Sequence, residues 1–185
     1  MVNAINKETN IDEVIKKRRN DLYIKLEYRS LVTRVILLII VGYILFSQFF
    51  LITQVTGNGM FPAIKDGDLI IGFRVQQKYS KNDVITYKYN DSTYLGRIAA
   101  CENDVVTIDD SGKLIVNGTI QDGGIMYPTY IKEETNLEYP YRVPNDSVFV
   151  LGDYRTQTED SRDFGSISIN DIESKIITIL RRRGL

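Results

Sequence analysis

From Val35 to Ile52 the chain reads VILLIIVGYILFSQFFLI, 18 residues without a charge, and this run limits the possible architecture more than any other feature. At about 1.5 Å rise per residue, such a helix covers most of a hydrocarbon core roughly 30 Å thick. Leu31 and Val32 extend it, and Arg34 is placed to snorkel to the interface. Lys16, Lys17, Arg18, Arg19, Lys25, Arg29 and Arg34 precede the run, whereas the first charge after it is Lys65. The positive-inside rule then sets the N-terminus in the cytoplasm and the main domain outside the cell membrane. A cleaved leader is the competing reading. It is disfavoured because the run exceeds the usual h-region of about 7–15 residues and no A-x-A-like site follows. The expected organisation is a cytoplasmic tail over 1–30, marginally helical at most, a single-pass transmembrane anchor over 31–54, and an extracytoplasmic domain over 55–185.

Composition removes whole classes of chemistry. Histidine is absent, which excludes a Ser-His-Asp triad, a Cys-His dyad and an HExxH zinc site. The single cysteine, Cys101, forms no internal disulfide and builds no metal cluster by itself. With 23 basic and 24 acidic residues the net charge is −1, which gives no footprint for nucleic acid. Neither metal nor cofactor is expected.

After the apolar run the pattern changes to short β-type segments separated by polar turns: 68–75, 83–90, 93–100, 104–109, 113–118, 147–153 and 174–181, rich in Val, Ile, Thr and Tyr. The fold class is mainly β, a single N-terminal transmembrane helix followed by an antiparallel β domain. Turn residues at Asn90-Asp91-Ser92 and at Asp109-Asp110-Ser111-Gly112 predict two hairpins. Between 119 and 146 the alternation fails and Tyr127, Pro128, Tyr130, Tyr139, Pro140, Tyr141 and Pro144 take over. This segment reads as an inserted cap loop, its tyrosines either forming a contact surface or pinning the loop to the sheets. Arg181, Arg182 and Arg183 read either as a solvated terminal run or as one lying near lipid headgroups.

Three stretches carry a family resemblance. Gly57 to Asp68, GNGMFPAIKDGD, resembles the first catalytic box of the bacterial type I signal peptidases (peptidase S26), G-x-S-M-x-P-(T/A)-(L/I/M)-x-x-G-D, through Gly57, Met60, Pro62, Ala63, Ile64, Gly67 and Asp68. Tyr94 to Val106 resembles the strand that carries the family's lysine, with Tyr94, Arg97, Ile98, Ala100, Asp104 and Val106 in place. Gly152 to Ile167, GDYRTQTEDSRDFGSI, is similar to the most specific box, keeping Gly152, Asp153, Arg155, Asp160, Ser161, Arg162, Gly165 and Ile167, with Thr158 where the family has serine. The three boxes stand in the family's order over about residues 31–180. The resemblance implies a signal-peptidase-like β domain with the cap inserted, and an ion pair of Asp160 with Arg162 behind the catalytic position. It also implies a groove remnant at Gly57, Gly59, Met60 and Pro62, and a supporting scaffold of Asp153, Arg155, Thr158, Asp160, Ser161 and Arg162.

The departures fall on the chemistry. The serine nucleophile of the family falls on Gly59 and its general-base lysine on Gly96. Glycine supplies neither oxygen nor amine, and in serine proteases losing one catalytic group costs about as much as losing all, leaving roughly 10³–10⁴-fold over water. Lys65, Lys78 and Lys88 read as solvated charges, Cys101 as a buried structural thiol, and no second nucleophile–base pair is visible. The chain is therefore expected not to be an enzyme. What the resemblance implies instead is a membrane-anchored chaperone or assembly factor that holds extended peptide for pilin subunits, beside a sortase, with the lipid bilayer as its other partner. An active signal peptidase with displaced groups, and an adaptor with a vestigial groove that binds through the 119–146 loop, are the alternatives.

Overall fold

The computed structural model describes the backbone of residues 2–76, 78–121, 124–132, 135 and 137–181, with side chains from residue 16 onward. The chain divides into a helical unit over residues 1–47 and a β unit from Gln48. Helix α1 runs from Val2 to Phe49, so the tail continues the helix of the apolar run. Within it, Lys16–Phe49 is long and apolar enough to cross a membrane. Leu37, Leu38, Ile39 and Ile40 stand more than half exposed, an apolar surface suited to lipid.

The expected anchor boundary at 54 is corrected. The apolar run is divided: α1 ends at Phe49, and Phe50–Gln54 forms strand β1, registered against β2 (Leu69–Phe73) from Phe50↔Phe73 to Gln54↔Leu69. Tertiary pairing decides this, because β-branched Ile52 and Thr53 and the aromatic Phe50 fit a pleated sheet as well as a helix.

The alternating segments become β2, β3 (Val84–Tyr89), β4 (Ser92–Ala100), β5 (Val105–Ile108) and β6 (Leu114–Val116). β7 is Thr119–Ile120, β8 Tyr141–Arg142, β9 Ser147–Leu151, β10 Ile167–Ser168 and β11 Ile172–Leu180. A short helix, α2 (Ser161–Phe164), leads into β10. All pairings are antiparallel, in a sheet ordered β1-β2-β11-β3-β4-β9-β10 and a smaller one ordered β7-β6-β5-β8. The β3–β4 hairpin turns on Asn90 and Asp91, both at positive φ, the geometry of a two-residue turn that matches strand twist.

The region expected as an irregular cap loop over 119–146 contributes β7 and β8, near its two ends, to the edges of the smaller sheet, and its described residues between Ile120 and Tyr141 form no strand. Two-residue strands leave no periodic trace in sequence, and so the pattern there looked irregular. Of its tyrosines, Tyr127 packs on Tyr154 at 4.4 Å between ring centres, and Tyr141 packs on Phe149 at 5.5 Å and bonds Ser166 through its hydroxyl. These pin the cap, while Tyr130 stays exposed.

Three apolar clusters hold the β unit. One joins Ala100, Phe149 and Leu151 of the large sheet to Val106, Ile108, Leu114 and Val116 of the small one. A second is centred on Ile85, Tyr87, Ile98 and Val150, and a third seats the glycine-rich turn through Val55, Met60, Ile64 and Ile70. Each fully buried aliphatic or aromatic side chain stabilises by about 1.5–3 kcal/mol.

Candidate functional site

The three boxes converge. Met60 is 2 % exposed and roots the glycine-rich turn in the core, and the turn closes with the Ile64 N–H donating to Met60 O at 2.8 Å. Gly57 takes φ +91°, a region glycine enters without steric cost, and its N–H donates to Asp66 Oδ1 at 2.8 Å. The turn is tied to the third box by Tyr154 N–H donating to Gly59 O at 3.0 Å. Among the described residues no acceptor takes the Gly59 N–H. Arg181, expected as a solvated charge, reaches back to this turn, donating to Ala63 O at 2.9 Å and facing Asp68 at 3.4 Å. Arg182 and Arg183 lie outside the described residues.

Gly57, Gly59, Met60 and Thr158 line a cleft of about 420 Å3, with Thr93, Tyr94 and Leu95 of β4 opposite Val55 and Thr56. It continues into a second hollow of about 240 Å3 that shares Val55, Thr56, Thr93, Tyr94 and Leu95 and reaches Thr53 and Gln54. The two form one groove. β1 pairs on one side with β2, and β9 covers β4 only from Arg97 onward. The groove thus runs between two strand segments whose second edges are not taken up by strand pairing among the described residues. Such a slot fits an added strand, whose backbone N–H and C=O groups satisfy both edges. Pro62, expected in the groove, does not line it; the chain turns away after Met60.

Behind the groove lies a buried polar network. Asp160 and Arg162 are each about 2 % exposed at the side chain and 2.8 Å apart, a forked pair in which Nε donates to Oδ1 and Nη2 to Oδ2. Asp160 also caps α2 and accepts from Gly152 N–H, and the Thr158 hydroxyl stands 3.0 Å from its Oδ2. Ser161 Oγ accepts from Val150 N–H at 2.9 Å. Arg97 forks onto Asp153 at 2.8 and 2.6 Å, and the hydrogen bond holds its guanidinium pKa above the ordinary value. A buried carboxylate needs such saturation, since removing one partner of a buried pair costs about 3–5 kcal/mol. One contributor was not visible in sequence: Lys132, in the cap segment, donates to Thr158 O at 2.6 Å and to Asp163 at 2.7 Å. No motif surrounds it.

Gly96 faces inward on β4 and does not line the groove. A Cβ built there would stand 2.5 Å from Val150 Cγ1 of β9 and 3.4 Å from both Leu151 O and Tyr87 Cε1. The space a side chain needs is filled. At Gly59 the fit is looser, with Thr158 Cγ2 at 3.1 Å. Cys101 is half-buried, its thiol pKa raised by burial, and its Sγ lies 3.9 Å from Tyr79 O. Among the described residues no group of three His, Cys, Asp or Glu is arranged to hold a metal ion.

The sequence profile of the family described as signal peptidase, peptidase S26, matches residues 28–180. The chain belongs to that family. Signal peptidase IB of Staphylococcus aureus is 27 % identical over 165 residues, 80 % of this chain and 84 % of that protein. Thylakoidal processing peptidase 1 of Arabidopsis thaliana is 27 % identical over 141 residues, 67 % of this chain and 40 % of that protein. The probable thylakoidal processing peptidase 2 is 31 % identical over 133 residues, 64 % of this chain. The chain spans 40 % and 35 % of the lengths of those two plant relatives. The crystal structure of a signal peptidase I from Enterococcus faecalis V583 aligns with a TM-score of 0.43 at 23 % identity, covering 55 % of this chain and 98 % of that one. In this signal peptidase homologue, the positions that the resemblance gives to serine and lysine are the two glycines just described.

Proposed function

We propose that this chain is a membrane-anchored signal peptidase homologue that binds an extended peptide along the groove between 53–57 and 93–95 without cutting it. The observation that carries this reading is the packing at Gly96, where Val150 occupies the place of the side chain that would have acted as base. The groove walls and the free Gly59 N–H support binding, because both can bond peptide backbone. The partner we propose is a pilin precursor held for polymerisation beside a sortase, with the N-terminus in the cytoplasm and the β unit outside. The pilin assignment rests on the family resemblance, and the orientation on the basic residues before the apolar run.

The names of the relatives favour a second reading, peptidase activity through displaced groups. Against it stand the engaged partners: Ser161 Oγ is fully buried and bonded, the Thr158 hydroxyl faces Asp160, and the Lys132 amine is held by Asp163. The test is fluorescence anisotropy of a labelled pilin signal-peptide segment with the full chain in detergent. Saturable binding is expected, weakened about tenfold by Gly59→Leu, which corresponds to about 1.4 kcal/mol. Binding that Gly59→Leu leaves unchanged overturns the groove reading in favour of an adaptor surface.

A further inference from the structure

Arg155 is 5 % exposed, and among the described residues no carboxylate pairs with it. Its Nε donates to Gly152 O at 2.8 Å and its Nη1 donates to the Thr129 hydroxyl. The Nη2 donors have no partner among the described residues. The contrast with its neighbours is sharp, since Arg97 forks onto Asp153 and Arg162 onto Asp160. Burial lowers the Arg155 pKa to about 10, even though the field of Asp160 opposes the shift. A buried cation with no counter-ion among the described residues is costly, and a fold that retains one gains when an anion arrives.

The arginine lines a cleft of about 400 Å3, within the range of roughly 300–1,000 Å3 typical of small-ligand sites. Its walls come from the β5–β6 turn, the end of β7 and the segment 125–129, and it shares no lining residue with the peptide groove. The walls are mixed: Ile120, Ile125, Met126 and Tyr127 form an apolar stretch beside the polar Ser111, Gln121 and Thr129, and Ile120 and Met126 are 51 % and 68 % exposed. Lys113 adds a positive charge.

We propose that this cleft is a second binding site, for a carboxylate carried on an apolar polypeptide segment, with Arg155 as its counter-ion. One unbonded guanidinium nitrogen matches one carboxylate, and charge-assisted bonds of this kind are about twice as strong as neutral ones. The apolar stretch of Ile120, Ile125 and Met126 takes up the side chains next to the acid, which a free inorganic anion does not have. The site is independent of the groove and of whether the chain cleaves peptide.

The test is anisotropy titration of the full chain in detergent with two labelled peptides, GLIEL-amide and GLIQL-amide, which differ only by the carboxylate. The acid is expected to bind about tenfold or more tightly than the amide. Lys113→Glu and Ile125→Glu, both outside the buried network, are expected to remove most of that preference. Arg155→Met is expected to remove it in protein that keeps its melting temperature. Gly59→Leu is expected to leave it intact. Equal affinity for the two peptides overturns the proposal, as does a preference that survives both Lys113→Glu and Ile125→Glu. So does loss of the preference in Gly59→Leu, or displacement of the acid by inorganic phosphate as effective as by unlabelled peptide.

Discussion

Gly96 stands on β4 opposite Ile85 of β3, with Val150 of β9 closing over the position a side chain would take. A methyl at 2.5 Å from Val150 Cγ1 forces a shift of the strand or of a buried valine, and overpacking of this kind costs about 1–3 kcal/mol. Gly96→Ala is accordingly expected to destabilise by that amount in denaturant unfolding of the β unit. Adding Val150→Ala is expected to recover part of the loss, a coupling that a double-mutant cycle measures directly. If Gly96→Ala is neutral, Val150 does not fill the site as described. A lysine introduced at 96 is likewise expected to need a third change, at Val150, to make room for it. That glycines stand at 59 and 96, the positions to which the resemblance assigns the reactive side chains, was legible in the sequence, but the valine covering one of them was not. Val150 lies 54 positions away across a strand pair, and only the register of β4 against β9 brings it there.

At the scale of elements, strong alternation and turn residues made the seven longer strands after the apolar run readable, together with the Asn90–Asp91 hairpin. Strands of two residues, β7, β8 and β10, carry no periodicity and appear only once their partners are known. β1 was hidden differently. FLITQ continues an apolar run in composition, and only pairing with β2 assigns it to the sheet. This makes a sharp prediction about where the β unit starts. A fragment beginning at Gln48 is expected to unfold cooperatively, with a melting temperature several degrees above that of one beginning at Val55, which lacks β1 and with it Thr53 and Gln54 of the groove wall. Equal melting of the two fragments contradicts the role of β1. The site's support was likewise only partly legible: the Asp160–Arg162 pair followed from a motif, whereas the Lys132 and Thr129 contacts come from a segment without one.

The molecule as a whole combines an apolar helix able to cross a membrane with a β unit that holds two separate clefts, one between strand edges and one over a buried arginine. The groove offers backbone partners on both walls, and the Arg97–Asp153 and Arg162–Asp160 pairs lie behind it, so the binding proposed above calls for no further side chain, whereas bond cleavage calls for a base to take the proton of a water or hydroxyl. The measurement that tests this most directly is mass spectrometry of a secretory preprotein and a pilin precursor incubated with the full-length protein in detergent, beside a Gly59→Ser, Gly96→Lys, Val150→Ala variant. The native protein is expected to leave both substrates intact while retaining the pilin precursor on co-purification, with any cleavage confined to the variant. Cleavage by the native protein at the rate of an active signal peptidase would contradict this expectation.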